Sequence, residues 1–223
     1  MLFDWRVIGQ IVPVNPAQSV RGPRHSVSKG ITPVLSSEEA TALLSGMNVS
    51  TVVGLRDRAI IAVMTYTFAR VSAVVTLNVE DYFPLKKRWW LGLREKGGKR
   101  HEMPCHHNLE TYLTAYIDGT GIADDPKGPL FRTIGRGTHE LPRTPLPQAN
   151  AYMMIKRRAA AAGIETKIGN HTFRATGITA YLKNGGTLEK AASMANHAST
   201  RTTQLYDRRS DEVTLDEVEK VGI

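Results

Sequence analysis

The stretch Leu55–Ala69 constrains the fold of this chain most. Leu55, Ala59, Ala62, Val63 and Tyr66 recur at i, i+3, i+4 spacing, which predicts a helix. Ile60, Ile61 and Met64 widen its apolar face well beyond one stripe. A helix apolar on so many sides has to be enclosed by other elements, so it is predicted to lie at the centre of the core.

The surrounding sequence supplies candidates to enclose it. Ser36-Ser37-Glu38-Glu39 reads as a capping box opening a short helix through Met47. Val71–Leu77 reads as a second short helical or turn segment. Tyr82–His106 reads as strand, with Trp89–Leu93 and His101–Cys105 flanking a tight turn at Lys96-Gly97-Gly98-Lys99. Helix returns over Asn108–Asp118 and over the alanine-rich Gln148–Ala162, which Gly163 closes. Residues 119–147, rich in Gly and Pro, are expected to form a long surface loop. Asp211–Val221 reads as an amphipathic tail helix with Leu215, Val218 and Val221 on one side.

Residues 1–33 differ from the rest. Pro13, Pro16, Pro23 and Pro33 interrupt them, and Arg21, Arg24 and Lys29 make them basic. Proline restricts itself and the residue before it, so extended backbone is expected.

The composition, 41% apolar and 22% charged, is that of a folded globular protein with ample length for a core. A net charge of +8 points to an acidic partner, most economically nucleic acid. The single cysteine, Cys105, excludes an internal disulfide framework and suits a reducing cytoplasm. No apolar run is long enough to cross a membrane, and none at the N-terminus has the form of a signal peptide.

Chemistry concentrates in Asn170–Arg209. With Asn170 as N-cap, His171 and Arg174 fall in the first turn of a helix at i, i+3 spacing, where the positive helix end favours an anion. His197 and Tyr206 follow. Singly, each has an ordinary reading: Tyr206 as a half-buried helix tyrosine, His197 as a cap or surface residue. The ordered set is different, arising by chance roughly once in a thousand.

That set resembles the second conserved box of the tyrosine recombinase (phage integrase) family. The family pattern is H-x-(L/F)-R, a helix, a turn and a second helix, then (L/G)-(G/N)-H and T-T-x-x-Y. Here the motifs read HTFR, MANH and TTQLY, and the resemblance covers about residues 34 to 209. It implies an α+β, mainly helical catalytic domain with a small antiparallel β-sheet or hairpin at one edge, of the DNA breaking–rejoining type. Residues 1–33 would then be a basic interdomain linker with the remnant of an N-terminal core-binding domain that the chain otherwise lacks. Residues 34–210 would be the catalytic domain and 211–223 a tail helix.

The resemblance also assigns roles. Arg70, in TFARVSAVV, is similar to the first family arginine of T-G-x-R-x-(S/T)-E. On sequence alone it also reads as a residue completing the C-terminal dipole of its helix. Phe68-Ala69 stands where the family has a glycine-containing pair, and Ala73 where it has an acid. Lys96, in EKGGKRHEMP, resembles the hairpin lysine of the family, with Lys99 as the second lysine of that pattern, although a solvated charged turn reads the same. Lys99, Arg100 and Arg201 are the remaining candidates for DNA contact.

The implied reaction follows from these side chains. A phenol has an ordinary pKa of about 10, so it must lose its proton as it attacks at neutral pH. Arg70 and Arg174 would bracket the non-bridging phosphate oxygens with planar guanidinium forks. His171 would accept the phenol proton, His197 would hydrogen-bond the phosphate, and Lys96 would protonate the departing 5′-oxygen. The product would be a 3′-phosphotyrosyl enzyme on Tyr206, formed with no metal or other cofactor. The implied partners are a double-stranded DNA recombination site and three further copies of the chain, with no membrane.

Two other functions fit parts of the sequence. Residues 171–206 also read as a helix-turn-helix regulator without enzymatic activity. A type IB topoisomerase-like relaxing enzyme would share the chemistry without synapsis. His101, Cys105, His106 and His107 lie too close together along the chain to match a zinc-finger spacing and read as structural. The turn lysines do not form a Walker loop.

Overall fold

The computed structural model describes residues 2–20, 30–94, 100–135, 141–208 and 218–219. Nine α-helices and three strands are described: α1 (Leu2–Ile8), α2 (Ser37–Ser45), α3 (Val52–Tyr66), α4 (Val71–Val75), β1 (Tyr82–Leu85), β2 (Arg88–Arg94), β3 (Arg100–Pro104), α5 (His107–Thr120), α6 (Gln148–Ala161), α7 (Asn170–Lys183), α8 (Leu188–Met194) and α9 (Thr200–Gln204).

α3 is the central helix that the apolar run predicts. Its residues 59–64 are all buried, and it packs against α2, α4, α5, α6 and α7. It begins and ends earlier than the periodicity suggests. Thr51 caps it by accepting from the Gly54 N–H, and Phe68, at φ 56°, prevents continuation past Thr67. Two charged residues, Arg56 and Asp57, are buried within this core helix. Asp57, fully buried, accepts from Arg56 (3.1 and 2.8 Å) and from Arg158 of α6 (3.0 and 2.8 Å). A buried carboxylate is tolerable only with such partners, and here it ties α6 to α3.

The capping box of α2 forms as predicted: Glu39 N–H donates to Ser36 Oγ, and Ser36 N–H to Glu39 Oε2. The strands form one antiparallel sheet, order β1-β2-β3, with Tyr82 opposite Leu91 and Leu91 opposite Met103. These residues, with Leu93, face the core, while Tyr82 stacks on Trp89 at 4.4 Å. The first hairpin turns at Lys86-Lys87, with Lys86 at φ 58°, a turn without the glycine or asparagine that marks most such positions. The Gly97-Gly98 turn lies outside the described residues.

The expected surface loop over 119–147 is only partly one. Leu130, Phe131 and Leu146 are buried, and short bridges pair Asn78 with Pro129 and Arg132 with Pro145. Apolar residues at three points pull this Gly- and Pro-rich segment into the core. Of the predicted tail helix only Val218 and Glu219 are described, both helical. Cys105 is buried, and burial pushes its thiol up to about 12, in keeping with a core residue.

Candidate active site

The site is built where α7 runs under the junction of α3 with α4 and the junction of α8 with α9. Helix α7 starts one residue earlier than the Asn170 cap predicts. Gly169 takes the cap position, and its N–H donates to Thr172 Oγ1 at 3.1 Å. Residues 172–179 are all buried, so α7 is a core element over most of its length.

Arg174 is 1% exposed. Its Nη1 donates to the carbonyl of Phe68, and its Nη2 donates to the carbonyl of Ala195 at 2.5 Å. Phe68 lies two residues before Arg70, and Ala195 two residues before His197. One guanidinium therefore fixes the two loops that carry the other candidate residues. Both loops contain a left-handed residue, Phe68 at φ 56° and Asn196 at φ 48°. Asparagine tolerates that conformation and phenylalanine does not. Phe68 is nevertheless buried beside Ile178, Leu182, Ala191 and Ala195, packing that offsets the strain.

Asn196 ends α8: its N–H and that of His197 return to the carbonyls of Ser193 and Ala192, the usual left-handed helix stop. The His197 side chain then faces Tyr206, with ring centroids 5.9 Å apart and planes 10° from parallel. Thr203, fully buried on α9, lies 2.9 Å from His197 Nδ1. Burial first, then the charges of Arg174 and Arg70, push the His197 imidazole down to about 4. Tyr206 is partly buried, and its carbonyl accepts from Thr179 Oγ1 of α7 at 2.7 Å.

Arg70 is the residue that precedes α4, partly buried, with extended backbone. Ala73 is buried within α4, where only a methyl group is offered. The structure thus brings Arg70, Arg174, His197 and Tyr206 to one seam. His171, which is expected to share the phosphate face with Arg174, stands exposed in the first turn of α7. Lys96 and Lys99 lie outside the described residues. Arg100 reaches across the sheet, pairing with Glu102 at 2.8 Å and lying over the Phe83 ring. Arg201 is exposed on α9.

Among the described residues, the other histidines are engaged elsewhere. His101 Nε2 lies 3.1 Å from the Met194 carbonyl, joining β3 to α8. His106 caps α5 and stacks between Tyr66 and His107. Sequence reasoning missed Thr179, Thr203 and the carbonyl pair on Arg174. Thr203 was visible only as the second threonine of TTQLY, and nothing local marked the others.

Two guanidiniums, a neutral imidazole and a phenol on one seam can bind a phosphate and present a nucleophile to it. Known proteins resemble this chain in sequence and fold. The chain is 28% identical over 192 residues to tyrosine recombinase XerD of Staphylococcus saprophyticus subsp. saprophyticus, covering 86% of this chain and 62% of that protein. It is 27% identical over 209 residues to tyrosine recombinase XerC of Chlamydia pneumoniae, covering 92% and 62%. The chain therefore spans less than two thirds of these relatives. The crystal structure of XerA recombinase superimposes with a TM-score of 0.63 at 25% identity, over 85% of this chain and 63% of that one. A lambda integrase dimer bound to a COC′ core site gives 0.67 at 16% identity, over 96% and 59%, a likeness of fold.

A helical body with a three-stranded edge sheet is the fold of tyrosine recombinase catalytic domains. The phage integrase family model matches residues 33–212, and the chain belongs to that family.

Proposed function

We propose that the protein is a site-specific DNA recombinase that cuts and rejoins strands through a 3′-phosphotyrosyl bond on Tyr206. The observation that carries this reading is the meeting of Tyr206 with His197, Arg174 and the field of Arg70 on one seam. The Tyr206 oxygen attacks the scissile phosphorus and the 5′-oxygen leaves, so one phosphoester replaces another and rejoining needs no ATP. Arg70 and Arg174 hold the non-bridging oxygens; donors of this kind contribute on the order of 3 kcal/mol each. His197, neutral at pH 7, donates to a phosphate oxygen from Nε2 if the Thr203 hydroxyl donates to Nδ1. His171 takes the phenol proton and Lys96 protonates the leaving oxygen. Lys99, Arg100 and Arg201 contact the DNA backbone, Arg100 by exchanging its Glu102 partner for a phosphate.

Relatives support the assembly proposed here, since a lambda integrase tetramer bound to a Holliday junction shares the fold at a TM-score of 0.65. Four copies would act on two DNA sites, with residues 211–223 docking on a neighbour. A cytoplasmic setting and a role in moving DNA elements complete the reading. Among the described residues no helix is long and apolar enough to cross a membrane.

The test is a covalent adduct. Nicked duplexes with a randomised core site should yield a protein–DNA adduct that survives denaturation and that Tyr206→Phe abolishes. DNA protection without any adduct would replace this reading with a regulator. Relaxation of supercoils by single copies at any site would indicate the topoisomerase-like activity.

A further inference from the structure

The backbone around Tyr206 is gripped from two directions. One grip is the Thr179 hydroxyl on α7. The other comes from the chain that leads into the domain, 175 residues away in sequence. Gly30 N–H donates to the Leu205 carbonyl at 2.9 Å. Arg208 Nη1 donates to that same carbonyl at 3.1 Å, while its Nη2 donates to the carbonyls of Gly30 and, at 3.5 Å, Thr32.

Leu205 caps the C-terminal end of α9, so its carbonyl is one that the helix leaves unpaired. Arg208 therefore joins the residue before Tyr206 to the strap at 30–32 and closes a small ring around Tyr206 and Asp207. The fit at the strap is close. A Cβ on Gly30 would lie 2.6 Å from the Leu205 oxygen and 3.3 Å from Leu205 Cβ. Further along, Leu35 N–H donates to Thr176 Oγ1 at 3.0 Å, so the strap is also anchored on α7.

On the reading that Tyr206 is the nucleophile, we infer that Arg208 and Gly30 are positioning residues that set where the phenol stands relative to His197 and Arg174. Neither touches the phosphate. Each acts through the Leu205 carbonyl, and a displacement of the strap is passed directly to Tyr206.

The experiment measures two quantities on a nicked duplex that the wild-type chain converts to adduct. One is equilibrium DNA affinity, read with Tyr206→Phe in every background so that no chemistry intervenes. The other is the single-turnover rate of adduct formation at saturating DNA. Arg208→Ala and Gly30→Ala should slow the rate about 10- to 100-fold, the cost of a misplaced reacting group, with affinity within about twofold. Arg208→Lys, which keeps a donor for Leu205, should recover part of the rate. Amide hydrogen exchange at Tyr206 and Asp207 in free protein should rise in the two alanine variants.

Unchanged rates in both alanine variants would overturn the inference. So would an affinity loss matching the rate loss, which would make Arg208 a phosphate ligand. A lysine variant as slow as alanine would also count against a donor role. If the wild-type chain itself gives no adduct, the functional reading fails, and exchange at Tyr206 still decides whether the clasp holds that segment.

Discussion

Arg174 donates to the carbonyl of Phe68, a residue held at φ 56°. The pair explains how a phenylalanine is held at a backbone angle that glycine adopts freely. A left-handed phenylalanine costs on the order of 1–2 kcal/mol, but its ring is buried against Ile178 and Leu182 and lies edge-on to Tyr181 at 6.3 Å. The charged donor fixes the carbonyl that the unusual backbone angle presents.

Two substitutions at Phe68 separate these contributions. Phe68→Ala loses the buried ring, a change worth about 3–5 kcal/mol, and keeps the strain. Phe68→Gly loses the ring but is free to adopt the angle, so it should be more stable than the alanine variant by about 1 kcal/mol. Urea unfolding of the two variants gives the comparison. Alanine equal to or above glycine would show that the angle carries no penalty.

Arg174 should be intolerant of substitution for reasons that precede any chemistry. Arg174→Lys cannot reach both the Phe68 and Ala195 carbonyls with one ammonium. Loss of one bond to a charged donor at a buried carbonyl should cost about 2–3 kcal/mol, seen as a lower urea midpoint. A lysine variant as stable as wild type, but devoid of adduct formation, would assign this arginine to catalysis alone.

Much of this architecture could be read from the sequence, and the failures share a cause. The central helix, the α2 cap and the cluster of motifs near the C-terminus were legible because each is a local pattern. The Lys86-Lys87 hairpin was not, because its turn residues carry no glycine or asparagine signal and tertiary pairing imposes the angle. The burial of Leu130, Phe131 and Leu146 was hidden by neighbouring glycines and prolines. In the site, side chains in motifs were identifiable. The contacts that hold them, Thr179 to Tyr206 and Arg174 to two carbonyls, join segments 21 to 106 residues apart and leave no local trace.

His197 predicts a definite pH dependence. Its imidazole titrates at about 4 in the folded chain and near 6.5 when unfolded. Between these values the unfolded state binds more protons, so stability is full above about pH 6.5 and falls as the pH drops towards 4. Allowing for partial exposure, the loss should be about 2 kcal/mol. His197→Gln should flatten that part of the stability profile, measured by urea unfolding at a series of pH values. A phosphodiester bound between Arg70 and Arg174 would offset two of the three causes, so histidine NMR should show His197 titrating higher in the DNA complex.

Asp57 is the strongest test of the core. It is fully buried and accepts from both Arg56 and Arg158. Asp57→Ala leaves two guanidiniums without their shared anion and should cost about 3–5 kcal/mol. Adding Arg158→Met should cost less than the sum of the single changes, because the second substitution removes a charge already stranded. Strict additivity in a double-mutant cycle would mean that Asp57 and Arg158 are not coupled.

Gly177 lies one turn beyond Arg174 on α7, where that helix passes close to the end of α3. A Cβ there would stand 2.1 Å from the Thr65 carbonyl oxygen and 2.8 Å from the Phe68 ring. Neither neighbour has a flexible end that could swing aside, since one is backbone and the other is packed in the core. Gly177→Ala must therefore push α7 away from α3, although alanine is the better helix former by about 1 kcal/mol. Overpacking of this kind costs about 1–3 kcal/mol or more, so the net change should be destabilising. The displacement should also loosen the Arg174 bond to Phe68 and carry Thr179 away from Tyr206, slowing adduct formation beyond what lost stability explains. Unfolding and single-turnover rates, both measured well below the melting temperature, separate the two effects. A stabilised variant with an unchanged rate would contradict the tight contact between these helices.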